Sequence, residues 1–485
     1  MSTTVISPVA GSRAVLFPFA PNWRDGVSVN YQFKTDIITS RSGKEQRRAA
    51  RANPRKTVAF KITLPSATPL DQFVARNHLR VITVADYSRH ARLISGVPLD
   101  GQVFEVDDVP DWLSPGRSVI VGGQQRTISA VSGNLVTIHA PSVVAVPAGE
   151  QIFPAVNGRL DDSISVQKMT DRVVEADISI QLTPGSVPAD DAGSPQEVFN
   201  GREVFVFQPN WASPIDGSYS VTTDTVDFGF GRTVTYTPIR FDSRIRQVQV
   251  VFPTQADRND AVAFFTRMKG RRGEFYMPTW SDDLVVARPA AADSLLMWVK
   301  GREVCDTYAD STTHKAIVLR TPDGYQFYRR VLNITTDGVD SLIETDIEWP
   351  VEIDETISLS WLPATRLATD DFAMECVTDE VGRAQFATQS LEDLAVADVE
   401  RPWPGLDAGA TYLIDRFGWL FAKNVILDGL DWVHDVYPQT GAEAIFNSGE
   451  YWLNRYYGQP YATTEVADPL RVFVNETYPS QFPET

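Results

Sequence analysis

The sequence contains one pattern twice, and this internal repeat constrains the fold more than any other feature. The triplet Pro-Asn-Trp stands at 21–23 and again at 209–211, each time after aromatic residues, which sets an offset of 188 residues. At the same offset 62–65 (ITLP) falls on 250–253 (VVFP), and both segments are typical of strands that stop at a proline. Self-similarity of this kind has to be found before any other interpretation, because it decides the whole architecture.

Further matches follow in the same order along the chain. The pairs Arg159-Leu160 and Arg366-Leu367 are 207 residues apart, and 169–173 (MTDRV) matches 377–381 (VTDEV) at 208 residues. An offset that grows in steps is what insertions in the loops of a duplicated unit produce. Acidic pairs, Asp161-Asp162 and Asp370-Asp371, stand beside the Arg-Leu pairs, and their repetition indicates structural turns rather than catalytic carboxylates.

These matches divide the chain into two units and a remainder. We define the first unit as residues 1–185 and the second unit as residues 203–393. Residues 186–202 are rich in Pro, Gly, Ser and Asp and are predicted to be a linker. Residues 394–485 match neither unit and form an aromatic-rich C-terminal segment.

The pattern within each unit predicts a mainly β fold. Residues 57–64 and 245–252 alternate apolar and polar side chains, which is typical of half-buried antiparallel strands. A short helix is predicted after each of them, within 69–80 and within 258–273. A second β-rich region interrupts each unit, at about 97–158 in the first and about 292–364 in the second. We therefore expect tandem duplicated β-sandwich units, each with one short helix and an inserted small β domain.

Composition narrows the partners. The 44 basic and 62 acidic side chains give a net charge of −18, which disfavours non-specific nucleic-acid binding and gives no reason to expect a sequence-specific nucleic-acid partner. No apolar run of about 18 residues predicts a membrane span. The N-terminal segment lacks the basic start and apolar core of a signal peptide, so we expect synthesis in the cytoplasm without export.

The sequence offers no convincing catalytic or metal-binding pattern. It has two cysteines, Cys305 and Cys376, and five scattered histidines, without zinc-ligand spacing. It also lacks a P-loop, a nucleophile elbow and a zinc-protease motif. We expect no enzyme activity, no cofactor and no metal. A glycan hydrolase stays open as an alternative, because folding could bring two distant carboxylates together.

A basic run in the first unit is a candidate interface. It is broken by one glutamate, has no aromatic residues interleaved for base stacking and is missing from the matching part of the second unit. We expect it to dock on an acidic neighbouring subunit. Its members are Arg41, Lys44, Arg47, Arg48, Arg51, Arg55 and Lys56.

Residues 263–284 (AFFTRMKGRRGEFYMPTWSDDL) carry a family resemblance. A helix that ends in Arg/Lys-Gly-Arg-x-Gly is followed by an aromatic strand with Pro-x-Trp and by an acidic turn. This arrangement resembles the tail-tip proteins of long-tailed bacteriophages, in particular the distal tail proteins. The first unit departs from it, because 76–90 has neither the two glycines nor the tryptophan. The motif residues are Pro21, Asn22, Trp23, Pro209, Asn210, Trp211, Gly270, Arg271, Gly273, Phe275, Pro278 and Trp280.

The resemblance implies a virion structural protein at the tail tip. Distal tail proteins form a ring of six similar subunits that joins the tail tube to the baseplate, so the implied partners are the tube protein, the baseplate hub and fibres. A chain with two units would build such a ring from three copies, as a homotrimer with pseudo-sixfold symmetry. Two alternatives stay open: attachment of side fibres to a baseplate, and a carbohydrate-binding module that uses the aromatic residues of 394–485.

Overall fold

The computed structural model describes residues 14–40, 45–185, 192–220 and 243–393, and between 220 and 243 the residues 223–227, 229, 231 and 233–236. Predictions that concern Arg41, Lys44 and residues 394–485 therefore lie outside the described residues. The described part is mainly β, as the sequence predicts.

The secondary structure of the first unit comprises fourteen strands and one helix within the described residues. In chain order these are β1 (Val15–Leu16), β2 (Val27–Gln32), β3 (Thr35–Thr39), β4 (Glu45–Ala49), β5 (Arg55–Leu64), α1 (Thr68–Asn77), β6 (Ile82–Ala85), β7 (Ala91–Arg92), β8 (Val103–Glu105), β9 (Ser118–Val121), β10 (Gln124–Ser132), β11 (Leu135–Ile138), β12 (Gln151–Leu160), β13 (Ser165–Lys168) and β14 (Val174–Leu182).

The rest of the described chain adds sixteen strands and two helices. They are β15 (Val198–Phe199), β16 (Arg202–Val204), β17 (Asp216–Ser220), β18 (Asp224–Asp227), β19 (Thr233–Tyr236), β20 (Ser243–Phe252), α2 (Gln255–Met268), β21 (Phe275–Tyr276), β22 (Val286–Arg288), β23 (Ser294–Val299), α3 (Glu303–Tyr308), β24 (Ala316–Arg320), β25 (Gln326–Thr336), β26 (Ser341–Trp349), β27 (Ser358–Trp361), β28 (Ala364–Leu367), β29 (Asp371–Cys376) and β30 (Gly382–Ser390).

The two units pair their strands in the same order. In the first unit β14 lies between β5 on one side and β12 and β13 on the other, and β5 also pairs with β2. In the second unit β30 lies between β20 and the strands β28 and β29, and β20 also pairs with β17. A short parallel pair completes each unit, β1 with β6 and β16 with β21.

Each unit has its helix directly after its long strand. The prolyl residue in the first turn of α1 has a fixed backbone angle that suits a helix start. Thr254 caps α2 through a reciprocal pair of hydrogen bonds with Asp257. The helix α2 ends at Met268 because Lys269 and Gly270 both adopt positive φ angles. Within the described ranges, no helix has the length and apolar character needed to cross a bilayer.

One apolar core extends through both units. Phe265 of α2 stacks on Phe372 of β29 with ring centroids 5.0 Å apart, and it also meets Phe33 of the first unit at 5.5 Å. Phe372 in turn lies 6.1 Å from Tyr31. The main core thus contains residues from both units.

The regions that interrupt the units have cores of their own. Strands β7 to β11 and the start of β12 surround a cluster that includes Phe104 and Trp112. Strands β22 to β27 surround another that includes Trp349 and Trp361. The second of these regions also contains α3, which the sequence does not predict, because six residues are too few to show helical periodicity.

Candidate functional site

A strand pair joins the first unit to the second. Strand β2 runs antiparallel to β29 through six residue pairs, from Val27 opposite Cys376 to Gln32 opposite Asp371. Because β2 also pairs with β5, and β29 with β30, the sheets of the two units form one continuous sheet. We call this contact, together with the side chains packed around it, the joint.

Asp370 connects the two units at the edge of the joint. Its Oδ2 accepts a hydrogen bond from the backbone N–H of Thr35 at 2.7 Å. Its Oδ1 accepts from the hydroxyl of Thr35 and from the backbone N–H of Arg271, both at 2.8 Å. The carboxylate therefore binds one group pair from the first unit and one amide from the turn that follows α2.

Gly270 is required by the approach of Asp370. Its φ angle is +66°, a conformation that side chains disfavour, and a Cβ atom here would overlap Oδ1 of Asp370 and crowd Phe33. This glycine belongs to the motif that resembles tail-tip proteins, and the structure places it at the joint.

A hairpin of the first unit brings charged groups onto the second unit. Strands β3 and β4 form this hairpin. Glu45 accepts two hydrogen bonds from Arg366, each at 2.8 Å, and Arg366 is only 3% exposed. A bidentate pair in a buried setting is geometrically specific, and removing one partner leaves a buried charge without compensation.

A second ion-pair group lies beside the hairpin. Arg47 pairs with Glu274, and Arg202 approaches the same carboxylate at 2.8 Å. Burial alone would raise the pKa of Glu274, but the two guanidinium groups hold this pKa below its ordinary value. Glu274 is therefore ionised in the folded protein, and it holds Arg47 of the first unit against the second.

The structure does not bring the predicted basic run onto one surface. Arg47 docks on the second unit, and Arg51 donates to the carbonyl of Gln32 at 3.3 Å within the first unit. Lys56 is buried, with its ammonium 5.0 Å from the centre of the Tyr31 ring, and desolvation lowers its pKa. Arg48 and Arg55 are exposed. An interface between this run and another chain stays a prediction.

The two Pro-Asn-Trp motifs form the same turn. The backbone N–H of Asn22 donates to Lys61 at 2.7 Å, and that of Asn210 donates to Gln249 at 2.7 Å. Each asparagine side chain accepts a hydrogen bond from the backbone two residues later, at 3.1 Å in both units. Such local side-chain bonds are how asparagine stabilises turns. The motif therefore ties the start of each unit to its long strand.

The other motif residues are mostly structural. Phe275 is buried, and its ring lies 5.0 Å from that of Phe264. Gly273 is packed so closely on Met268 that a Cβ atom would not fit without movement. Trp280 is buried next to Pro278 and has the guanidinium of Arg320 at 5.1 Å from its ring centre.

A cluster of titratable groups lies where the first inserted region meets the second unit. His90, Asp379 and Glu380 offer ligand atoms within 4.8 Å of one another. However, Arg92 pairs with Asp379 and lies 3.8 Å from Glu380, so the carboxylates already have a cation. Burial lowers the pKa of His90, although both acidic neighbours oppose this shift. We assign the cluster a structural role.

Sequence reasoning missed the groups that make the joint. Thr35, Glu45, Glu274 and Asp370 pair with residues far away in the chain, so no local pattern marks them. The repeated acidic pair at 370–371 is the one available signal, and it was interpreted only as a turn. The sequence matches no known protein family, and no curated protein resembles it.

Proposed function

We propose that this chain is a structural protein of a long-tailed phage virion. In this proposal three copies form a ring at the distal end of the tail, between the tail tube and the baseplate hub. The observation that carries the proposal is the joint: two units with the same pairing order meet edge to edge, through different edges.

Contacts between different edges are head-to-tail contacts. A head-to-tail contact that repeats with a constant rotation closes into a ring, whereas a contact between identical patches stops at a pair. Each unit also has one edge of each kind. The arrangement inside the chain is therefore already one step of a ring, and three chains would supply six such units.

The resemblance points to the same place. Gly270 and Arg271 of the tail-tip motif contact Asp370 at the joint. In a ring of separate subunits, the matching segment would lie between neighbours. The net charge of −18 suits a channel that DNA passes through without binding.

Fibre attachment is a second candidate function. The inserted regions have separate cores and differ from each other, since the second has the helix α3 and a six-stranded sheet. Such regions can vary without disturbing the joint, which suits docking of different partners.

Two measurements test the proposal. Light scattering on the purified full chain should give the mass of three copies. Quantitative mass spectrometry and electron microscopy of virions that contain the chain should give three copies at the tail tip. Six copies outside the ring would favour fibre attachment, and one copy, or a location away from the tail, would reject the proposal. Binding to a glycan array would favour the carbohydrate-binding alternative.

A further inference from the structure

We propose that β17 of one copy pairs with β13 of a second copy, in the register that β2 and β29 have inside the chain. This inference deepens the proposed ring and rests on it in one respect, namely that copies of the chain associate. It names the two edges and the residues that meet.

The register follows from the matching pairs of the two units. Ser28 opposite Ala59 corresponds to Asp216 opposite Gln247, an offset of 188 residues for β2 and β17. Met374 opposite Ala384 corresponds to Val166 opposite Ala176, an offset of 208 residues for β29 and β13.

The joint can therefore be translated residue by residue. Inside the chain Asn30 lies opposite Ala373. Applied to the other two edges, the same offsets place Ser218 of one copy opposite Ser165 of the next.

Both edges are unpaired in the described residues. Strand β17 pairs with β20 alone, and β13 pairs with β14 alone, whereas their counterparts β2 and β29 each have two partners. A strand edge with free N–H and C=O groups is a ready template for another strand. The two edges lie at opposite ends of the sheet, so one chain cannot pair them with each other.

Apolar residues are exposed on these edges where their counterparts are buried. Tyr31 is 3% exposed in the joint, but its counterpart Tyr219 is 64% exposed. Met374 is 2% exposed, but its counterpart Val166 is 43% exposed. Trp211 of the second Pro-Asn-Trp motif is 67% exposed. These side chains would be covered if the joint recurred between copies.

Polar groups show the same difference. Asp370 binds Thr35 inside the chain, whereas their counterparts Asp162 and Thr223 are both exposed. The contact that joins the two units thus has the same residue types in place for a contact between copies.

A disulfide ladder tests the register. Six strands separate Ser165 from Ser218 in one chain, and at about 4.8 Å per strand the two lie roughly 30 Å apart. A disulfide needs Cα atoms about 4.4 to 6.8 Å apart, so this pair can only link two copies. In a Cys305→Ser background, the full chain with S165C and S218C should oxidise to linked trimers on a denaturing, non-reducing gel.

The controls separate register from chance collision. Each single variant should form no trimer. The pair K168C and S218C, three residues out of register, should link at least tenfold more slowly. Three associated copies without a 165–218 link would overturn this interface and leave the ring proposal standing. A chain that is single both in solution and in virions would overturn both.

A charge variant tests the same edge without cysteines. V166K should reduce the assembled fraction at least tenfold, because the matching Met374 is buried in the joint. V339K is the matched control, since Val339 is 72% exposed on the second inserted region. If V166K leaves assembly unchanged, the interface is wrong. If it instead lowers the melting temperature of single chains, residues 394–485 cover the edge and the inference also falls.

Discussion

Asp370 and Gly270 show how single residues determine the contact between the two units. The carboxylate binds backbone and hydroxyl groups of Thr35 and the amide of Arg271, and it can do so only because residue 270 has no side chain. A local requirement for glycine thus has its cause in a residue that lies far away in the sequence.

Replacement of Gly270 tests this coupling. We expect G270A to lower the free energy of unfolding by about 3 kcal/mol, from backbone strain at positive φ plus displacement of Asp370. Gly123 has a similar φ angle of +70° with open space around it, so G123A should cost about 1 kcal/mol. Urea unfolding of both variants measures the difference, and equal losses would show that Asp370 is not involved.

The charge on Glu274 predicts a pH dependence. Because the folded pKa lies below the ordinary value of 4.5, the ion pairs stabilise the protein fully above that pH and lose this contribution as the pH falls toward the folded pKa. We expect E274Q to be about 2 kcal/mol less stable at pH 7, with the difference shrinking below about pH 4.5. Urea midpoints between pH 3 and 7 test this, with the exposed Glu355→Gln as control. A difference that does not change with pH would contradict the assignment.

At the scale of elements, the hairpin of β3 and β4 anchors one unit on the other. The alternation in the sequence predicts the long strands well: β5, β14, β20 and β30 all contain the segments expected from it. It does not predict what the hairpin does, because the contacts of Glu45 and Arg47 involve residues more than two hundred positions away. Period-2 patterns report which face is buried, and they carry no information about which distant element covers it.

The buried pair in this hairpin gives an element-scale prediction. E45Q should cost about 3 kcal/mol of stability, because Arg366 keeps its charge in a buried site. R383Q breaks a comparable pair with Glu375 whose side chains are about half exposed, and it should cost less than about 1 kcal/mol. Thermal or urea unfolding distinguishes the two. A loss for E45Q as small as that for R383Q would mean that the hairpin does not hold the units together.

At the scale of the molecule, the continuous sheet is separate from the regions inserted into it. Arg92 of β7 lies opposite Gln151 of β12, so the ends of the first inserted region are already paired. The sequence predicts that both units are interrupted, at about 97–158 and 292–364, from the order of its matches. It does not reveal the joint, because pairing between β2 and β29 depends on edge geometry that no single strand encodes.

Removal of the first inserted region tests this separation. Residues 93–150 would be replaced by Asn-Gly, a pair that closes tight hairpins, with Ile152→Thr to avoid a newly exposed apolar side chain. We expect the shortened chain to fold and to associate with the same copy number as the full chain, because the proposed contacts lie on β13 and β17. Mass photometry of the two proteins measures this. A single-copy product that is still folded would show that the inserted region makes the contacts.

The distance in sequence between the two strands of the joint also has a consequence in time. Val27 leaves the ribosome 349 residues before its partner Cys376, which at about 5 to 20 residues per second means tens of seconds. Throughout that period the first unit has β2 unpaired, next to other nascent chains on the same message. The tether to its own second unit then supplies a high effective concentration of β29. Translation speed across residues 203–376 therefore affects how many chains close on themselves before they meet a neighbour.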